Sequence, residues 1–150
     1  MKNFYIRDGR APLPFSETTS VVMSANRARD TKPELSLRKA LWKKGIRGYR
    51  VNWKQAPGRP DIAFPARKIA IFVNGCFWHR CPYCRPGLPK LHRGFWVKKF
   101  KANVRRDKIK MLQLKQIGWK VLILWECRLK KYLQLSVDRI EQLLLPAPEV

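Results

Sequence analysis

Acidic residues are scarce in this sequence: 10 Asp and Glu stand against 33 Lys and Arg, leaving a formal charge of +23 over 150 residues. Such an imbalance repels itself in a compact fold and calls for an abundant polyanion as partner, which argues against a small acidic metabolite as sole ligand. Long apolar runs are missing as well. No stretch approaches the roughly 20 apolar residues needed to span a bilayer, so no membrane partner is expected. Met1 to Val22 mixes charge, Pro and Ser without an apolar run of secretory length, and reads as a flexible basic leader (1–22) ahead of one domain (23–150). No internal repeat or low-complexity block occurs. Without a secretion signal the expected compartment is a reducing cytoplasm, where cysteines serve metals more readily than disulfides.

What is present points the same way. Hydrophobic residues make up 45% of the chain, enough for a folded core, and six Trp, four Tyr and seven Phe accompany the positive charge. Cations that neutralise phosphates and rings that stack on bases are the two requirements of a nucleic-acid surface. Thr31-Lys32-Pro33-Glu34 fits a capping box, with Leu37, Ala40 and Leu41 as the stripe of the helix that follows and Gly45 as its stop. Tyr49–Trp53 alternates like a strand. Pro57-Gly58-Arg59-Pro60 is turn chemistry, delivering Asp61 to a strand at Ile62–Phe64, and Lys68–Val73 reads as a buried strand. Phe95–Ile117 predicts a long helix, apolar at Trp96, Phe100, Val104, Met111 and Leu112 with a gap near Asp107, and basic elsewhere at Lys98, Lys99 and Lys101 among others. A strand at Val121–Trp125 and a closing helix at Leu135–Leu145 complete an α/β chain whose mixed sheet is flanked by helices.

The four cysteines fall as Cys76-x4-Cys81-x2-Cys84, with Cys127 far along the chain. Four thiolates suit a closed tetrahedral zinc site, which is structural because no ligand position remains open. The alternative is four reduced cysteines without a joint role, and their clustering beside Arg80 and Pro82 weighs against it. With so few acids, Asp61 stands out: one carboxylate, a backbone carbonyl and phosphate oxygens suffice to hold Mg²⁺. The competing reading is an Asp that merely caps its own turn. His79 lies between Cys76 and Cys81; four cysteines already satisfy zinc, so it is a candidate general base for water. His92, in a basic loop, reads as a surface residue. Phe77 and Trp78 flank His79 and cannot both point inward from an extended strand, so one of them is expected to face solvent or ligand. Aromatic wedges between base steps kink duplexes.

Together, Met23-Ser24, Asp30-Thr31-Lys32-Pro33-Glu34, Pro57-Gly58-Arg59-Pro60-Asp61, Phe72-Val73-Asn74-Gly75-Cys76-Phe77-Trp78-His79, Gly118-Trp119-Lys120-Val121 and Trp125-Glu126-Cys127 resemble the very-short-patch-repair (Vsr) DNA mismatch endonucleases, in order, over roughly Met23 to Lys131. The resemblance implies a restriction-endonuclease-like fold with a structural zinc site. It also implies Mg²⁺-dependent nicking of duplex DNA 5′ to the thymine of a T·G mismatch, the product of 5-methylcytosine deamination. Residue by residue, it implies Asp61 as the Mg²⁺ carboxylate, the Val73 carbonyl as a second ligand, His79 as the base and Glu34 as support for the site. Cys76, Cys81, Cys84 and Cys127 match the zinc positions, while Phe77, Trp78 and Trp96 match wedge residues. Met23, Lys98, Lys99 and Asn103 fall on the DNA-contacting surface, and Asn103 and Asp107 match the polar helix face near the leaving group. Asn74 departs from the family, which often has histidine there to stabilise the leaving group; asparagine donates a hydrogen bond but supplies no proton.

The reading that follows is a bacterial-type, nucleoid-associated monomer acting on T·G-mismatched double-stranded DNA, with repair-pathway proteins as further partners. One competing reading is a restriction or defence nuclease of the same fold without strict mismatch preference. The other is a non-catalytic zinc-stabilised nucleic-acid-binding module, which would need neither Asp61 nor His79.

Overall fold

A computed structural model describes residues 29–146, 148 and 149. The leader (1–22), the domain start at residue 23 and the DNA-facing Met23 therefore lie outside the described residues. Helix α1 (Lys32–Lys43) begins as its capping box dictates: the Thr31 hydroxyl accepts the Glu34 N–H at 3.4 Å, and the Glu34 carboxylate accepts the Asp30 N–H at 2.9 Å. Gly45 follows with φ +86°, the left-handed turn that ends the helix. Four strands come next in sheet order β1 (Arg50–Val51), β2 (Ile62–Phe64), β3 (Ile69–Asn74) and β4 (Lys120–Trp125). β1–β2 and β2–β3 are antiparallel and β3–β4 is parallel, so the sheet is mixed.

A parallel neighbour requires a crossover, and this one holds two helices. They are the one-turn α2 (Cys76–His79) and the 24-residue α3 (Arg93–Gln116). After β4 the chain forms α4 (Glu126–Lys131) and α5 (Leu133–Leu144). Strand alternation sorts the core. Ile69, Ile71, Val73, Leu122 and Leu124 point to the face covered by Leu37 and Leu41 of α1, Leu129 of α4, and Val137 and Ile140 of α5. Ala70, Phe72 and Val121 point to the opposite face, under Leu114 of α3, with Ala56, Trp53 and Trp119 around them. Lys44 ties α1 to α5 through Asp138 at 2.6 Å and Glu141 at 2.8 Å.

Several sequence expectations need correction. The strand expected over Tyr49–Trp53 is only Arg50–Val51, exposed on both residues, as befits a short sheet edge. The α3 helix starts at Arg93, two residues before the expected Phe95, and α5 starts at Leu133 rather than Leu135. Neither α2 nor α4 was expected; Phe77 and Trp78 sit on a helical turn rather than on an extended strand. Leu112, placed on the apolar stripe, is 59% exposed, and Leu114 is buried in its stead. The buried side of α3 runs Trp96, Phe100, Asn103, Leu114, with the half-buried Asp107 and Met111 in register between them. The gap near Asp107 is thus a polar residue placed on the inward face.

Candidate active site and metal centre

Polar groups converge where the start of β2 meets the end of β3. The Pro57–Pro60 turn places Gly58 and Arg59 at positive φ and leads directly into Asp61. The Asn52 and Trp53 N–H groups hold the turn by donating to the Asp61 and Pro60 carbonyls at 3.0 and 3.1 Å. Instead of capping this turn, the Asp61 carboxylate crosses to the neighbouring strand, where Oδ2 accepts the Val73 N–H at 2.7 Å. Burial pushes its pKa up to about 6; the Val73 hydrogen bond pulls down, the Glu34 charge pushes further up, and His79 and Arg38 pull down. A carboxylate kept this far from water favours a cation beside it, so the donor chemistry fits a divalent metal.

His79 ends the α2 turn. Its Nδ1 meets Asp107 Oδ2 at 2.6 Å, bringing α2 and α3 together. With Asp107 accepting at Nδ1, the imidazole keeps its proton there and presents the Nε2 lone pair, as required of a base. Glu34 is buried at 3% exposure, its carboxylate shared among the Asp30 N–H, the Thr31 hydroxyl and Arg38 Nη2. Arg38 also reaches Asp30 at 2.8 Å, so one guanidinium is shared by two carboxylates and the Glu34 charge is only partly offset. Asn74, at the end of β3 and 7% exposed, lines a small cavity of about 20 Å³ with Phe72, Asp107, Lys110, Met111 and Ile123.

The second cluster is sulfur. The Sγ atoms of Cys76, Cys81, Cys84 and Cys127 lie within 4.8 Å of one another, with Cys81 and Cys127 at 3.7 Å. Zinc–sulfur bonds of about 2.3 Å in a tetrahedron put the sulfurs roughly 3.8 Å apart, so the four are spaced to accept such an ion with little movement. The Cys127 N–H already donates to Cys76 Sγ at 3.4 Å. Without a cation, burial pushes the Cys76 thiol well up from its ordinary value, so a metal is what makes a thiolate comfortable there. The cluster joins α2, which leaves β3, to α4, which leaves β4, directly behind His79.

Around the turn, Phe77, Trp78, Trp96 and Phe100 form a ring cluster with centroids 5.0 to 5.7 Å apart. Trp96 is buried in it, whereas Phe77 and Trp78 are half-exposed. Asn103 is buried and fixes the turn from below by donating to the Trp78 carbonyl at 3.0 Å, while Arg106 donates to the Asn103 side-chain oxygen Oδ1. Lys98 is exposed and Lys99 half-exposed on the same helix. His92 caps α3 in a left-handed conformation, its carbonyl accepting the Trp96 N–H at 3.1 Å. Sequence reasoning missed two partnerships: Asp107 with His79, and Arg38 with Glu34. The first left a signal, the interrupted apolar stripe; the second left only the i, i+4 spacing of Glu34 and Arg38.

Among the described residues no helix is long and apolar enough to cross a membrane. Residues 15–85 match the family model described as DNA mismatch endonuclease Vsr. The chain is 42% identical over 123 residues to the type II nicking enzyme V.NaeI of Lentzea aerocolonigenes, covering 79% of this chain and 73% of that protein. It is 41% identical over 114 residues to the type II nicking enzyme V.XorIIP of Xanthomonas oryzae pv. oryzae, covering 75% and 82%. To the DNA mismatch endonuclease Vsr of Escherichia coli K12 it is 38% identical over 113 residues, covering 75% and 72%. With two thirds or more of both chains aligned at this identity, the protein belongs to the Vsr family of DNA mismatch endonucleases.

Proposed function

We propose that this chain, a DNA endonuclease by its family, nicks duplex DNA 5′ to the thymine of a T·G mismatch in a Mg²⁺-dependent reaction. The mixed sheet with helices on both faces would be the restriction-endonuclease-like fold that carries the site. The single observation that carries the proposal is the His79–Asp107 pair at 2.6 Å, which leaves Nε2 of His79 as the ring's proton acceptor. Mg²⁺ would be held by the Asp61 carboxylate and the Val73 carbonyl, where it supplies positive charge to polarise the scissile phosphate.

The remaining roles belong to the chain's own groups. Nε2 of His79 accepts a proton from the attacking water, and Asp107 keeps the ring in the useful tautomer and steadies the imidazolium that results. Glu34, paired with Arg38, supports the metal side of the site from α1. Asn74 offers a hydrogen bond towards the departing 3′ oxygen. Phe77 and Trp78, half-exposed on a turn that Asn103 and the sulfur cluster hold in place, wedge beside the mismatch, and Trp96 supports them. Lys98 and Lys99 belong to the surface that follows the duplex. Zinc in the four-cysteine cluster would be structural. One such site per chain, acting as a monomer, cuts one strand.

A T·G pair is easier to unstack than a matched pair, so a wedge converts duplex weakness into selectivity. Acting on chromosomal mismatches places the protein with the nucleoid in the bacterial cytoplasm, with repair-pathway proteins as further partners. The names of the type II nicking enzymes among its relatives favour one second reading, a restriction-type nickase without strict mismatch preference. Family membership and retention of Asp61 with His79 set aside the non-catalytic binding module. The test is single-turnover nicking of two otherwise identical duplexes, T·G and T·A, with and without Mg²⁺. Cleavage confined to T·G with Mg²⁺ is expected; equal cleavage of both would establish the second reading, and cleavage without any divalent ion would remove the metal's role.

A further inference from the structure

The inward side of the long helix α3 carries a lysine. At about 100° of turn per residue, Lys110 lies roughly 20° round the helix from Asn103 and roughly 40° from Leu114, both buried. It is half-buried, whereas Lys101, Lys108 and Lys115 of the same helix are exposed. Its stem rests on the turn that leads to Asp61. A Cβ added at Gly58 would stand 3.0 Å from Lys110 Cβ, 3.2 Å from Cγ and 3.1 Å from Cδ, so only glycine leaves the stem its place. Helical side chains lean towards the helix N-terminus, which brings this one back towards Asp107, one turn earlier. Lys110 accordingly shares the small cavity at the end of β3 with Asn74 and Asp107; at about 20 Å³ it has room for one water-sized group. Among the described residues Lys110 makes no ion pair, and Asp107 gives Oδ2 to His79 instead. A cation held on an inward face without an acid of its own calls for an anion that arrives with the substrate.

We propose that Lys110 is a catalytic residue whose ammonium contacts the scissile phosphate beside Asn74, on the side from which the 3′ oxygen departs. The inference rests on the nicking reaction proposed above and assigns its leaving-group side. Asn74 donates a hydrogen bond there but brings no charge; an ammonium brings donors and charge together. As the water oxygen bonds to phosphorus, the water's proton passes to Nε2 of His79. The bond from phosphorus to the 3′ oxygen breaks with its electron pair on that oxygen, which then takes a proton from solvent. Lys110 stays protonated throughout and offsets the charge that builds on the departing oxygen, where a charge already in place lowers the barrier. A lysine present only to cover the Gly58 turn would serve as well without its charge, and that difference can be measured.

The test is single-turnover nicking of a T·G duplex by the full chain in excess, with Mg²⁺. Two duplexes are compared, identical except that one carries sulfur in place of the bridging 3′ oxygen at the cut. A thiolate is a much weaker base than an alkoxide and departs without a cation beside it. Lys110→Met keeps the stem over Gly58 and removes the charge; Lys110→Arg keeps both. On the oxygen duplex Lys110→Met is expected to be slower than wild type by roughly a hundredfold, and Lys110→Arg by less than about tenfold. On the sulfur duplex Lys110→Met should match wild type, which also shows that the variant is folded with its base and metal side intact. Wild-type speed of Lys110→Met on the oxygen duplex would overturn the inference and leave the residue as packing. An equal loss on both duplexes would overturn it too, because a disturbed fold slows either cut alike. A wild type that cuts neither duplex would instead overturn the nicking reaction itself, and the role of Lys110 with it.

Discussion

At the scale of single residues, the environment of Asp61 governs both stability and chemistry. Burial raises its pKa from 3.8 to about 6, so between those values the folded state holds a proton that the unfolded chain has released. Metal-free stability should therefore fall as pH rises through that window, by up to about 3 kcal/mol for this group alone, and stay lowered above pH 6. Asp61→Asn keeps an oxygen to accept the Val73 N–H and removes the desolvated charge. In magnesium-free buffer at pH 7.5 the variant should melt above the wild type, and near pH 3.5 the two should melt together. Nicking should drop to background with DNA binding retained. A variant that cleaves as fast as wild type would place the metal site elsewhere. His79→Ala, measured on the same T·G duplex, should slow the single-turnover rate by roughly a hundred- to ten-thousand-fold, the range for a lost general base. Asn74→His is the informative gain: if the residue at this position assists departure of the 3′ oxygen, a histidine there should speed nicking above wild type.

At the scale of elements, β3 and β4 are legible in the sequence because strands packed on both faces read as continuous apolar runs, and α1 because its cap and stop are written in side-chain chemistry. The carboxylate of the RPD turn and the four cysteines are legible for a similar reason: rare residue types in an otherwise basic chain. The α2 turn is not. Four residues complete barely one turn, so no 3.6-residue period can emerge, and the tetrapeptide Cys76–His79 looks as extended as the strand before it. Asp107 is visible only as a break in a pattern, because its partner on α2 is distant in sequence and lies on an element that periodicity misses. The sulfur cluster fastens α2 from behind, so one zinc per chain is expected by elemental analysis. Cys81→Ser should release the metal. The sheet core contains none of these cysteines, so the damage should be local: a destabilisation of about 3 kcal/mol, some 10 °C in melting temperature, with far-UV dichroism largely kept. Hydrogen exchange should rise over α2 and the segment leading to α3. A fully folded, metal-free wild type would remove zinc from the account.

At the scale of the whole molecule, the charge of +23 sets how the protein meets its substrate. Each phosphate neutralised by a lysine or arginine releases about 0.9 of a counterion from duplex DNA, so the logarithm of affinity should fall steeply and linearly with the logarithm of salt. Phosphate contacts position a protein but carry no sequence information, whereas the ring cluster at the α2 turn acts on the base stack. The two contributions should therefore separate. Lys98→Glu and Lys99→Glu, both on α3, should weaken T·G and T·A duplexes by the same factor and make the salt slope shallower by about one for each phosphate that is no longer neutralised. Trp78→Ala should leave that slope and the zinc content unchanged while lowering the preference for T·G in nicking. Filter binding across a salt series, run beside the nicking assay for all four proteins, measures both quantities. A flat salt plot for the wild type would mean that the positive surface does not engage the backbone. If Trp78→Ala keeps the full preference for T·G, the ring is packing for the turn, and discrimination lies in residues that touch the bases elsewhere.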